Sequence, residues 1–176
     1  MKNRNIQFKL TAGLLIPLLL TCFAVFILAA TPAGAGTQVA FNGTVSGQIP
    51  PQGTPLDQCH VLYHVVNFGN ATELGVFIGS AEFIVNFCTG PNFTYTGTYD
   101  WFAANRDEIY GPFSGQLFTT GTPGVYNNTE TATVTGGTGR FANATGTFNL
   151  GGQVNFITLS FVLPWKGTIS SVGSTK

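Results

Sequence analysis

The chain has 176 residues, 44% of them hydrophobic and only 8% charged, which is length for one domain and a leader. Seven basic and seven acidic residues cancel, but Lys2, Arg4 and Lys9 all precede the first acid, Asp57. Beyond them Asp57, Glu73, Glu82, Asp100, Asp107, Glu108 and Glu130 face only Arg106, Arg140, Lys166 and Lys176, a mildly acidic balance without a basic run that argues against a nucleic-acid partner.

In chain order, the early basic residues lead into an almost wholly apolar run from Leu10 to Ala30, broken by Gly13 and Pro17. Ala33-Gly34-Ala35 then offers a small-x-small cleavage site. These are the parts of a secretory signal. Residues 1–35 are therefore read as a signal peptide, and residues 36–176 as a single domain secreted or held outside the cytoplasm, at a cell surface or in a periplasm. The apolar run also reaches the ~20 residues that span a bilayer. An uncleaved anchor over residues 10–30 stays open, and is the one membrane contact expected. Cys22 is discounted as a lipid-modified cysteine, because Thr21 is a poor predecessor and the apolar run continues past it. That leaves Cys59 and Cys88. In an oxidising compartment they are expected to pair, with two buried free thiols as the alternative.

From there the chain shows no amphipathic helix of three or more turns. Runs rich in Val, Ile, Phe, Tyr and Thr alternate with Gly, Pro and Asn clusters, the pattern of an all-β domain. Strands are predicted over 37–46, 60–68, 74–79, 82–89, 92–102, 108–119, 124–135, 144–151, 153–163 and 165–171. Turns are predicted at Ile49–Gly53, Gly90-Pro91-Asn92, Gly121–Gly124 and Gly151-Gly152. Within 92–102, Phe93, Tyr95, Gly97, Tyr99 and Trp101 share one face, opposite Thr94, Thr96, Thr98 and Asp100; Ile109, Gly111, Phe113, Gly115 and Leu117 repeat the pattern. That period of two marks half-buried strands. Glycine inside strands (Gly43, Gly97, Gly115, Gly146, Gly167) points to strands coiling around a small barrel, whose closure leaves no unpaired edge. The favoured architecture is a closed antiparallel eight-stranded barrel of calycin-like shape. A two-sheet sandwich is the alternative.

The most conspicuous string runs Gly136-Gly137-Thr138-Gly139-Arg140-Phe141-Ala142-Asn143-Ala144-Thr145-Gly146. Gly137-x-Gly139-x-x-Ala142 matches a dinucleotide fingerprint, but the next residues read as a strand and turn instead of the helix that such a site needs. The string is similar instead to a G-G-T-G-x-F-x-x-A-x-G signature of dirigent proteins and of exported bacterial proteins of the allene oxide cyclase-like barrel superfamily. Upstream, Ala103-Ala104-Asn105-Arg106-Asp107-Glu108-Ile109-Tyr110-Gly111-Pro112-Phe113-Ser114-Gly115 resembles the A-N-G-D-x-hydrophobic-x-G-x-[YF]-x-G segment of the bacterial members. With the closing Trp165–Ser170 strand, the resemblance covers roughly residues 92 to 171. It implies an eight-stranded calycin-like barrel. Two positions depart from it: Thr145 stands where dirigent proteins carry an Arg, and Arg106 where the bacterial pattern has Gly. Asn105, Gly111, Gly115, Gly136, Gly137, Thr138, Gly139, Phe141 and Gly146 are read as structural. The glycines of the string are expected at positive φ in a tight connection, with Phe141 plugging one barrel end.

Asp107 and Arg140, one in each motif, are expected to pair at the barrel mouth, either as a structural ion pair or as polar anchors for a ligand. Tyr110, Trp101 and Tyr99 complete the candidate ligand site. His60 and His64 with Cys59 and Cys88 have zinc-ligand chemistry. In a strand, however, positions 60 and 64 share a face that 59 does not, and Glu82 is the one nearby strand acid, so no metal is expected. Ser80, Ser114 and Ser160 lie in no nucleophile elbow. Sequons begin at Asn42, Asn70, Asn92, Asn127 and Asn143, glycan acceptors in a eukaryotic secretory pathway. The reading is an exported, non-catalytic barrel binding a small apolar or aromatic ligand, with no cofactor. A structural cell-surface protein and an allene oxide cyclase- or dirigent-like isomerase or coupling guide are the alternatives.

Overall fold

Alternation along each strand gives one apolar face, and in the computed structural model, which describes residues 36–170, these faces turn inward around one antiparallel barrel. The strands are β1 (Gln38–Ala40), β2 (Gly43–Gln48), β3 (Thr54–Pro55), β4 (His60–Ala71), β5 (Gly75–Asn86), β6 (Phe93–Ala103), β7 (Glu108–Thr119), β8 (Val125–Val134), β9 (Gly136–Gly137), β10 (Gly146–Asn155) and β11 (Ser160–Ser170). A 3-10 turn covers Gly139–Phe141. Eight strands form the wall in the order β2-β4-β5-β6-β7-β8-β10-β11, and β11 pairs back to β2 to close it. That closing ladder removes the sandwich alternative. The predicted signal segment lies outside the described residues, and among those described no helix is long and apolar enough to cross a membrane.

Four local expectations are corrected. The predicted strand over 37–46 breaks at Phe41-Asn42, so that β1 and β2 both lie on β11, with the Phe41 N–H on the Gly167 carbonyl at 2.8 Å. The segments 74–79 and 82–89 are one strand, β5, because Ser80-Ala81 supplies no turn residue. Gly151-Gly152 makes no turn. β10 continues through it, with Gly152 at φ 133° beside the stretch where β11 carries Pro164, which has no N–H to give to a ladder. The reversal comes later, where the Asn155 side chain accepts the N–H groups of Ile157 and Thr158 at 2.8 and 3.0 Å. Finally, of the glycines in the Gly-rich string only Gly139 has a positive φ, 54°, and Asn143 takes the other left-handed position at 62°. Gly136 and Gly137 are glycine for want of space: a Cβ on Gly136 would stand 2.6 Å from the Tyr110 hydroxyl, and one on Gly137 2.7 Å from the Phe141 Cβ.

The same crowding governs the interior. A Cβ on Gly43 would meet the Trp165 ring at 2.5 Å, and one on Gly79 the Trp101 ring at 2.6 Å. Trp101 and Trp165 lie 5.1 Å apart between ring centroids, and Phe77, Phe148 and Phe41 pack around them. This cluster fills the end of the barrel that carries the β4–β5, β6–β7 and β8–β10 connections. At the opposite end a disulfide joins Cys59, just before β4, to Cys88, just after β5, with Cα atoms 5.2 Å apart. Cross-linking residues 29 apart stabilises the fold by about 3–4 kcal/mol in the chain-entropy account. On the outer wall Phe68, Ile78 and Phe102 stand opposite one another on β4, β5 and β6, all exposed.

Gly79→Ala should therefore destabilise the fold by about 3 kcal/mol, the upper part of the overpacking range, because its Cβ also meets the Asp100 carbonyl. Gly121→Ala, where a Cβ meets nothing within 4 Å, should leave stability nearly unchanged. Urea unfolding of both variants checks the pair.

Candidate functional site

Between the aromatic cluster and the disulfide end lies a cavity of about 80 Å³. That is about half the volume of an engineered apolar cavity that admits benzene, so a one-ring guest has to push wall side chains aside. Its wall is mostly apolar: Val45, Val65, Ala81, Phe113, Leu150 and Leu163 among others, with half-buried Tyr63, Phe156 and Phe161 towards the disulfide end. Typical ligand pockets are larger, roughly 300–1,000 Å³, so the size of any occupant is bounded.

Polar groups in this wall are few. β8 turns Tyr126, Asn128, Glu130, Ala132 and Val134 inward, and Glu130 enters the cavity at mid-strand. Tyr95, across β7 on β6, brings its hydroxyl 2.7 Å from Glu130 Oε2 and 2.5 Å from Asn128 Oδ1. A phenol has one proton and cannot serve both acceptors. With Glu130 protonated the chain is complete: the carboxyl donates to Tyr95, and Tyr95 donates to Asn128. With Glu130 ionised, Tyr95 must donate to the carboxylate, and the Asn128 amide has to turn over so that its Nδ2, otherwise without a partner among the described residues, donates to the phenol oxygen. Hydrogen-bond geometry alone thus favours the neutral acid and allows the charged one. Burial among apolar side chains pushes the Glu130 carboxyl in the same direction, from 4.5 up to about 7, against a smaller opposing effect of the Tyr95 hydrogen bond. Burial first, and then the Glu130 charge, raise Tyr95 and Tyr99 well above the ordinary phenol range, so both stay protonated. Tyr99 donates to the Thr133 carbonyl at 3.1 Å. Asn67, only 3% exposed, and Trp101 also line the cavity, and among the described residues Asn67 Oδ1 and the Trp101 Nε1–H have no hydrogen-bond partner.

The expected ligand residues therefore divide. Trp101 and Tyr99 line the cavity. Asp107 and Arg140 do come together, Nε to Oδ2 at 3.7 Å, but at the far, closed end. There Asp107 Oδ2 accepts the Arg140 backbone N–H at 3.2 Å and the Asn105 amide at 2.7 Å, while Arg140 Nη2 donates to the Leu74 carbonyl at 3.4 Å. Thr138 accepts the Glu108 N–H, and Phe141 is buried beneath the Arg140 guanidinium. These residues tie three connections over the base of the barrel. Arg106 takes φ 70° in the β6–β7 turn, a left-handed position that glycine would occupy without strain. Tyr110 lies on the outer wall over Gly136. Gly111, Gly115 and Gly146 sit where a neighbouring strand or the Tyr95 ring leaves no room for a Cβ.

The zinc-type residues are engaged otherwise. Cys59 and Cys88 are oxidised together, His60 Nδ1 lies 2.9 Å from Asp57 Oδ2, and His64 Nδ1 lies 3.1 Å from Glu82 Oε2. Asp57 also accepts the Cys59 and His60 N–H groups, and the first of these is the main reason that its pKa is lowered. Of the sequon asparagines, Asn42, Asn70, Asn127 and Asn143 are exposed and Asn92 is half-buried. The sequence reading passed over Glu130, Tyr95, Asn67 and Asn128 as site residues. Period-two counting through β8 and β4 was the signal available: it places Glu130 on the face of Ala132 and Val134, and Asn67 on that of Val65.

No protein-family model matches the chain, and no curated protein matches it. Among solved structures it is similar to a pterocarpan synthase dirigent protein, at 12% identity over 85% of this chain and 97% of that one, with a TM-score of 0.43.

A carboxyl whose folded pKa is raised binds its proton more tightly folded than unfolded. Stability is therefore highest below the unfolded value, falls as pH rises from about 4.5 to about 7, and stays lower above that. At about 1.4 kcal/mol per unit the loss approaches about 3 kcal/mol. Glu130→Gln should remove most of this slope and be more stable than wild type at pH 8, as read by urea unfolding across the pH range. The lowered pKa of Asp57 acts with the opposite sign and at lower pH, outside this window.

Proposed function

We propose that this chain is an exported barrel that binds one small, largely apolar ligand in the cavity between Trp101 and Phe161. The observation that carries the reading is an apolar, aromatic-walled cavity containing a single carboxyl, lined by residues with buried polar atoms that have no partner among the described residues. Buried polar groups are normally satisfied, and those left over at a cavity wall are where a bound molecule would add its own hydrogen bonds. Export rests on the basic, apolar and small-residue order of the N-terminus, and the Cys59–Cys88 bridge is compatible with an oxidising compartment. Neither the outer motifs nor the Asp107–Arg140 pair is needed for this reading.

Toluene serves as a minimal probe. It should raise the unfolding temperature of the wild type in proportion to its concentration, with NMR shifts confined to the cavity wall. Ala132→Leu, which fills the cavity, should abolish both effects. Absence of any response in the wild type, or a response that survives Ala132→Leu, would overturn the proposal.

A second reading, an isomerase that moves a proton on its confined guest, is favoured by Glu130 itself. A carboxyl near 7 can give and take a proton at neutral pH, as general acid–base catalysis requires. Cyclopentanone has weakly acidic C–H bonds and ring size. In deuterium oxide the wild type should accelerate exchange at its α-carbons and Glu130→Gln should not. Equal rates with the two proteins would leave binding as the whole function.

A further inference from the structure

We propose that the cavity selects cationic ligands, specifically a small primary amine with a single ring or short apolar body, whose ammonium group sits on Glu130. This deepens the binding reading above and rests on it. Among the cavity-lining residues there is no Lys, Arg or His, so an ionised Glu130 has no counter-charge from the cavity wall. Its described hydrogen-bond partner is the neutral phenol of Tyr95. The groups packed about it come from three further strands: Tyr95 and Tyr99 on β6, Gly115 on β7 and Leu150 on β10, none of them positively charged. Across the barrel on β4, a second buried acceptor, Asn67 Oδ1, has no donor among the described residues. An ammonium group carries three donors and no acceptor, the complement of such acceptors.

The rest of the wall suits the same guest. Tyr99, Trp101 and Phe113 present aromatic rings, which attract a desolvated cation through their quadrupoles. The Asn128 amide can turn over to satisfy Tyr95 when Glu130 is charged, so ionisation on amine binding leaves that network intact. An anionic guest would meet the carboxyl at close range with nothing to offset it. Outside the cavity, the other six acids and few bases of the barrel favour the approach of a cation over that of an anion. One feature points the other way: the unpartnered Trp101 Nε1–H would suit a neutral acceptor. The experiment therefore includes a neutral polar guest.

Toluene, benzyl alcohol, benzylamine and benzoate share one ring and differ in charge. Their affinities are to be measured by ligand-detected NMR at pH 8 and physiological salt, where surface charges are largely screened. Benzylamine is expected to bind at least about tenfold more tightly than benzyl alcohol, and benzoate more weakly than toluene. In Glu130→Gln, whose fold is confirmed by circular dichroism, the amine should fall to within about twofold of the alcohol. If toluene binds and benzylamine binds no better than benzyl alcohol in the wild type, the cationic selection is wrong while the binding reading stands. If none of the four binds, the binding reading itself is overturned.

Discussion

The volume inside an eight-stranded barrel is small, and this chain asks it to hold two tryptophans and several phenylalanines and tyrosines. The solution is written strand by strand as an aromatic facing a glycine: Trp165 over Gly43, Trp101 beside Gly79, Tyr95 over Gly115, Phe77 over Gly69. Each glycine costs strand stability on its own, and each is offset by the ring that covers it. Because the glycines are concentrated on the inner wall, the rings can crowd the closed end, and the residual space is displaced towards the disulfide end. The cavity is what this packing leaves over.

That arrangement also explains where polarity can be tolerated. On the outer wall Thr, Asn and Ser meet water at little cost. Inside, a polar side chain must find a partner or remain neutral. Glu130 does so by lending its proton to a three-residue chain through Tyr95 to Asn128. Asp107, at the base, takes another course and is held by a backbone and an amide donor. Two carboxyls in one barrel thus have opposite environments, one organising a loop and the other lining a cavity.

Much of the fold was legible in advance because period two, turn chemistry and glycine placement all agree from residue 92 onward. Alternation through Phe93–Trp101 and Ile109–Leu117 matches the inward faces residue for residue. The errors arose where one local signal had two meanings. Gly151-Gly152 looks like a turn, yet it serves as a bend opposite Pro164, and the true reversal depends on an Asn155 side chain that composition does not flag. The site was harder to read. A charged residue beside its motif partner, such as Arg140 near Gly139, draws attention, whereas Glu130 sits in a run of Thr and Asn and is marked by parity alone. Which of two polar-looking faces becomes the interior depends on barrel closure, and closure joins β2 to β11 across more than a hundred residues.

The packing of Trp101 against Trp165 has an optical consequence. They are the only two tryptophans in the sequence, and their ring centroids lie 5.1 Å apart at a tilt of 31°. Indole transition dipoles held at that separation and angle couple, so the native barrel carries an exciton couplet in its circular dichroism. The couplet depends on both rings keeping their places over Gly43 and Gly79, and so it vanishes when the interior loosens even if the strands persist. Light absorbed by the closed end therefore reports how well the core is ordered, without any label being added.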